Sequence, residues 1–384
     1  MMPTQNSQNR SGKGYSLMRI SLGIMAWNES EIIATSLRSL FEQSLLKKLA
    51  ALKASLEIVV VPNGCTDTTA TIARTTLESL AAPFPSETLT WKVNVLPEPG
   101  KANAWNHYIH EFSDPRADYL VLMDADITFS NSETLASMVM VLEQTPEAIV
   151  STDLPQKHIL FKKHKSLFDR ISLAVGQMTQ AAPAQITGQL YCARGPALRD
   201  IYMPPGLMTE DGFIKFMVCT DLFRRPPDNR RVIRAPNASH VFESYTRIRD
   251  VFHNQRRQQI AHTIYVYLRD YLKDRMGEQN AGEIIQDNNA RDPNWYLTLI
   301  RERVNAGGWW VMYPGALTVR FKRLTHLSIA KILLLMPAAV LGFLMDAVVL
   351  VAANARLKSG QLKGVWKDTK SNNLAQIAAP PKAG

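Results

Sequence analysis

Apolar positions along the first part of the chain fall into short runs, each followed by a stretch with helical spacing. "RISLGIMAW" reads as a strand. After it, Asn28-Glu29-Ser30-Glu31 has the spacing of a capping box ahead of Ile32, Ile33, Leu37, Leu40 and Phe41 at helical intervals. "LEIVVV" is a second strand, ending at "PNGCTD" before a helix over "TTATIARTTLESL". "WKVNVLPEPG" and "KANAWNHYIHEF" repeat the pair, and "YLVLMDAD" is a fourth strand. Strands alternating with helices predict an α/β fold with a mostly parallel, Rossmann-like sheet flanked by helices. Such sheets bind ligands beyond the carboxyl ends of their strands, where this pattern places Asn28, Asn63 through Asp67, Lys101, and Asp124 with Asp126.

The second half is less regular and shows no internal repeat. "KHILFKKHKSLFDRISL" mixes Lys157, Lys162, Lys163, Lys165 and Arg170 with apolar residues and reads as a basic amphipathic helix. "QITGQLYCARGPAL" reads as a strand and turn around Gly188, "MTEDGFIKFMV" as a helix headed by Glu210 and Asp211, and "RRVIRAPNASHVFES" as a further strand. A basic helix around "VFHNQRRQQIAHTIYVYL" follows. From Ile332 to Ala353 the chain is long and apolar enough to cross a bilayer, interrupted by Pro337, Gly342 and Asp346; a re-entrant or interfacial hairpin bent at Pro337 and Gly342 is as open as a single span, and a core helix is the bland reading.

Side chains at i and i+2 of a strand leave the same face, so Asp124 and Asp126 are expected to point the same way and repel. One carboxylate is protonated, or solvent screens both, or a positive group sits between them. A divalent cation, Mg²⁺ or Mn²⁺, would remove the repulsion and keep positions open for phosphate oxygens; a solvated turn capped by Asp126 is the bland reading. Asp67 is either the cap of the following helix or, with Asn63, a contact for a nucleobase. Lys101 either faces a phosphate with the free N–H groups of its helix or is a surface lysine. Glu210 and Asp211 either answer the helix dipole or supply a general base.

In order and spacing, "AWNE", "PNGCTD", "PGKANAWN", "MDAD", "ITGQLYCAR" and "TED" resemble the family 2 glycosyltransferases of GT-A fold, from about Arg19 to Gln259. The resemblance implies an inverting, non-processive transfer of a sugar from a nucleoside diphosphate donor, usually a UDP-sugar. Asp67 would then contact the base with Glu29 close by, and Asp124 and Asp126 would organise the donor through a metal, Asp126 being the direct ligand. Gly188 and Arg194 would line the donor-sugar pocket, and Asp211 would be the base. Processive members carry a QxxRW motif; here the stretch reads Gln255-Arg256-Arg257-Gln258-Gln259, so one or a few additions are expected. Gln255, Arg256 and Arg257 are candidate contacts to the diphosphate or the acceptor, against the plain reading of a solvated basic face. His240 is read as structural.

Composition narrows the rest. A chain of 384 residues, 46% hydrophobic and 20% charged, has room for a large core, and its net charge of +10 suggests an anionic partner. Cys65, Cys192 and Cys219 are too far apart for a disulfide framework or a zinc knuckle. No aromatic-rich RNA motif accompanies the charge, so nucleic acid is not expected as a partner. The expected organisation is a disordered segment 1–17, a catalytic domain 18–260, a helical extension 261–330, an apolar membrane-associated segment 331–355 and a disordered tail 356–384. With no export signal and basic residues on both sides of the apolar segment, the protein is expected at the cytoplasmic face of a membrane, acting on a lipid or glycan acceptor. Two rivals are a sugar-phosphate nucleotidyltransferase, disfavoured by the acidic "AWNESE" after the first strand, and a non-catalytic basic membrane adaptor, which would not need the ordered carboxylates.

Overall fold

The computed structural model describes residues 17–166, 169–170, 172–173, 184–244, 248–318 and 329–360. Strands β1 (Met18–Ala26), β2 (Ala54–Pro62), β3 (Leu89–Val93) and β4 (Tyr119–Asp124) are the four the apolar pattern predicts. They pair in parallel in the order β3-β2-β1-β4, so the chain builds outward on one side of β1 and then returns to the other. The reversal leaves a crevice at the carboxyl ends of β1 and β4, where Met25 lies opposite Asp124.

Beyond β4 the sheet is mixed. Strands β5 (Thr128–Phe129), β6 (Val150–Lys157), β7 (Leu190–Arg194) and β8 (Val232–Phe242) complete the order β3-β2-β1-β4-β7-β6-β8-β5. Strand β7 runs antiparallel to both β4 and β6. The expectation of a mostly parallel sheet therefore holds for the first four strands; the reversed β7 turns the whole into a mixed α/β sheet flanked by helices.

Side-chain alternation along the strands feeds two cores. Tyr119, Val121 and Met123 of β4 join the face covered by helices α1 (Ile33–Phe41), α2 (Ser44–Lys48) and α3 (Thr69–Ala81) and by α5 (Thr134–Gln144). Leu120 and Leu122 join the opposite face, with α4 (Lys101–His107) and, later in the chain, α6 (Gly195–Arg199) and α7 (Glu210–Cys219). The long helix α8 (Ile248–Lys273) packs on that second face through Ile260, Ile264 and Leu268, and α9 (Ala281–Arg291) and α10 (Trp295–Ala306) share its core. Helix α8 runs through residue 260, the position of the expected boundary between catalytic domain and extension.

Three expectations are corrected. The capping box does not form: α1 has no side-chain cap, because the Asn28 carboxamide accepts from Thr66 N–H at 2.7 Å and Ser30 N–H donates to Asp67 at 3.2 Å. The basic segment from Lys157 does not open as a helix; Lys157 ends β6, His158–Phe161 is a single tight turn, and Lys162 is extended. Register with β8 decides this, since Pro155, Gln156 and Lys157 face His240, Val241 and Phe242.

The third concerns the apolar segment. Residues 332–353 lie within one continuous helix, α11 (Ile329–Lys358), that passes Pro337 and Gly342 without a hairpin. Among the described residues no helix is long and apolar enough to cross a membrane. In its carboxyl half Leu350, Ala353 and Leu357 are buried in the core of the α8 face. Asn354 accepts from Val311 N–H and donates to Trp309 carbonyl, and Lys358 donates to Gly308 carbonyl. Leu350, Ala353 and Leu357 serve packing, while Val340, Leu344, Met345, Val348 and Val351 of the same helix are exposed; with no helix fit to span, the membrane-held location expected from the sequence is not kept. The expected disordered ends, apart from Leu17 and residues 356–360, lie outside the described residues.

Candidate active site

Strand β4 ends at Asp124, whose N–H donates to Gln189 carbonyl at 2.8 Å, and Asp126 lies in the turn that follows. The positive group that answers Asp124 in this structure is Lys101 at the start of α4, its Nζ 2.6 Å from Asp124 Oδ1. The same ammonium lies 2.8 Å from Glu210 Oε1 and donates to Gly188 carbonyl at 2.7 Å. Four segments thus meet on one cation: the end of β4, the start of α4, the turn before β7 and the first turn of α7. Helix α4 is pinned in turn, because Trp105 Nε1 donates to Tyr191 hydroxyl on β7 at 2.6 Å.

Burial pushes the Asp124 carboxyl up to about 7; Lys101 opposes this and Asp126 adds to it. For Lys101, burial alone would lower the ammonium, but Asp124 and Glu210 outweigh it and the net direction is up. Asp211, next to Glu210, is raised by burial first and by the Glu210 charge second, with Lys101 and Arg257 pulling the other way. Its Oδ1 accepts from Gly212 N–H at 2.7 Å. The crevice therefore holds Asp124 and Glu210 on one lysine, and Asp124 and the neighbouring Asp211 are both shifted toward the neutral form.

Gly188 is the tight point. A Cβ there would sit 2.4 Å from Glu210 Oε1 and 3.1 Å from Lys101 Nζ, so only glycine lets the turn reach the pair. We expect Gly188→Ala to displace Glu210, whose flexible end yields, and so to leave the fold intact. A displacement of that size next to the chemistry costs on the order of 10²-fold in turnover, which turnover measured beside a thermal melt would register.

Other expected site residues have structural work. Asn63 is buried, donating to Ala26 carbonyl at 2.8 Å and accepting from Gly100 N–H at 2.9 Å, so it clamps β1 to the entry of α4 instead of facing a ligand. Arg194 stands opposite Tyr119, at the amino end of β4 and away from the crevice. Its guanidinium donates to the carbonyls of Leu142 at 2.6 Å and Ala148 at 2.9 Å, which removes it from the donor pocket. Asp67 accepts from Thr69 N–H and Thr69 hydroxyl. Burial alone would raise its carboxyl, but these bonds and those from Ser30 hold it below the usual range. It is therefore a cap first, its carboxylate engaged by Thr69 and Ser30. Glu29, in the loop after β1, donates its N–H to Thr69 hydroxyl at the start of α3.

On α8, Gln255 is exposed and Arg256 Nη2 lies 3.1 Å from His253. Arg257 donates to Asn254 at 3.2 Å and acts on Asp211 electrostatically. His240 is buried with Nδ1 2.6 Å from Asp153 and Nε2 3.2 Å from Gln189, the residue whose carbonyl holds Asp124 N–H. Sequence reasoning gave no role to Asp153, Gln189 or the Glu210–Lys101 contact; the adjacency of Glu210 to Asp211 was the only signal.

Asp124 and Asp126 are a hard-oxygen pair, and the upward push on Asp124 is what a cation would relieve, so the residues fit a divalent metal whose other positions come from phosphate and water. Among the described residues no group of three or more His, Cys, Asp or Glu side chains is placed to hold one alone.

The sheet with its switch-point crevice is a mixed α/β domain of GT-A-like architecture. Residues 21–197 match the family described as Glycosyl transferase family 2, so the chain carries a domain of that family and is a glycosyltransferase. A mannosyltransferase from Pyrobaculum calidifontis, solved in complex with GDP-Man and Mn²⁺, superposes with a TM-score of 0.50 at 19% identity, over 89% of this chain and 88% of that one. Glucosyl-3-phosphoglycerate synthase from Mycobacterium tuberculosis, solved with Mg²⁺ and UDP, gives a TM-score of 0.41 at 15% identity, over 64% and 77%. No curated protein matches the chain.

Proposed function

We propose that the protein transfers a sugar, with inversion, from a nucleoside diphosphate sugar to an acceptor hydroxyl, within a catalytic unit spanning residues 18–260. The observation that carries this reading is Lys101 bridging Asp124 and Glu210, which sets the end of β4 and the first turn of α7 across one crevice. Asp211, beside Glu210, takes the acceptor proton. The freed oxygen pair forms the bond to the anomeric carbon as the bond from that carbon to the diphosphate breaks, and the nucleoside diphosphate leaves with that electron pair. Asp124 and Asp126 would hold Mn²⁺ or Mg²⁺, which when bound supplies positive charge for the departing diphosphate. Lys101 keeps Asp124 and Glu210 apart and oriented.

The base of the donor is read at Asp67, the position to which the family resemblance assigns the base contact, with Glu29 beside it through Thr69. The fold neighbour holding GDP-Man and Mn²⁺ supports the nucleotide-sugar class without choosing the base. A lipid acceptor rested on the apolar segment and loses that support with it, so the acceptor is written here only as a hydroxyl compound.

Asp126→Ala tests the donor half. UDP binding by calorimetry with Mn²⁺ present is expected to weaken at least tenfold in the variant, with little change when Mn²⁺ is left out. Equal affinity in parent and variant with Mn²⁺ would sink the assignment of Asp126.

A further inference from the structure

The first turns of α8 carry basic groups that the transfer step leaves unused. Arg249, His253 and Arg256 stand at i, i+4 and i+7, on one face of the helix. Arg249 Nε lies 3.3 Å from His253 Nε2, and Arg256 Nη2 lies 3.1 Å from His253 Nδ1. A neutral imidazole has one N–H and one bare nitrogen. Whichever nitrogen carries the proton, one guanidinium donor is turned toward another donor, so the trio lacks an acceptor. Other arginines of the chain have found carboxylates: Arg225 and Arg231 pair with Asp221, Arg230 with Asp228, Arg269 with Asp270. Among the described residues neither Arg249 nor Arg256 has such a partner.

Position says what the missing acceptor belongs to. Arg257 stands four residues after His253 on the same stripe of α8 and is one of the charges acting on Asp211, so the trio borders the side of the crevice from which a hydroxyl must reach the base. The donor side is built from the ends of β2 and β4. We infer that Arg249, His253 and Arg256 form a binding site for a phosphate group carried by the acceptor, which makes the acceptor a phosphorylated hydroxyl compound. Two guanidinium arms and an imidazole offer donors from three directions, which suits the three terminal oxygens of a phosphate monoester better than a planar carboxylate. The inference rests on the transfer reading above, and the diphosphate of the donor is the other source of the same chemistry.

Two titrations separate the sources, each run on the parent protein and on Arg249→Gln/Arg256→Gln. The first follows inorganic phosphate by ³¹P NMR, without UDP and then with saturating UDP and Mn²⁺. The second follows UDP by calorimetry. The parent is expected to bind phosphate with UDP already in place, the double variant to bind it at least tenfold more weakly, and UDP affinity to stay within about twofold. Phosphate binding unchanged in the variant, or absent from the parent, would overturn the site. So would phosphate expelled by UDP together with UDP affinity lost in the variant, which would give the arginines to the donor. Failure of the parent to bind UDP would instead strike the transfer reading, while the phosphate titration without UDP still reads the cluster.

Discussion

Asp211→Asn lowers kcat by roughly 10²- to 10⁴-fold, the span that a positioned general base supplies, and leaves donor affinity within about twofold. The side chain keeps its size and its bond from Gly212 N–H, and only the ability to take a proton is gone. A loss confined to turnover marks an interaction made in the transition state. The pH dependence has a determined sign. Burial and the Glu210 charge raise the Asp211 carboxyl, so the ionised base appears only above the ordinary aspartate range of about 4, and turnover falls as pH drops through that raised value. Steady-state rates over a pH series, paired with UDP calorimetry, check both halves. Collapse of UDP binding in the variant would make Asp211 a donor contact or a helix-start support.

The second large effect is on stability. Lys101→Met leaves Asp124 and Glu210 facing one another without their shared cation, and removing one partner of a buried ion pair costs about 3–5 kcal/mol. The Asp124 carboxyl, already up to about 7, then rises further. A carboxyl raised in the folded state keeps its stabilising proton below the unfolded value near 4, and that contribution is lost as pH rises through the folded value. The deficit is therefore smaller at pH 5 than at pH 8, where the parent's Asp124 is ionised and the variant's is held back. Urea unfolding at those two values measures it, and a variant as stable as its parent at pH 8 would show that the lysine is no structural hub.

Much of the fold was legible because β1, β2 and β4 carry apolar runs and their helices an apolar stripe, signals local to each segment. The misreadings share one cause, a distant partner that overrides local pattern. Asn28 turns to Thr66 instead of capping α1, and Lys157 extends because β8 lies beside it. The run from Ile332 to Ala353 is apolar because part of it fills a core against α8, a use that hydropathy alone does not distinguish from lipid. At the site, Asp124, Asp126, Lys101, Gly188 and Asp211 were legible as residues. That Lys101 joins Asp124 to Glu210 was not, since the partners come from three elements far apart in sequence. Proximity to a motif misled at Arg194, which shares β7 with the site but stands at its other end.

The central claim is that this crevice cleaves a nucleoside diphosphate sugar with help from its strand-end carboxylates. Release of nucleoside diphosphate from a panel of UDP- and GDP-sugars, with Mn²⁺ and with chelator, tests it most directly when run in parallel on parent and Asp211→Asn. The account predicts metal-dependent release from one donor by the parent and its near-complete loss in the variant. Release that is equal in the two proteins, or indifferent to chelator, would contradict it.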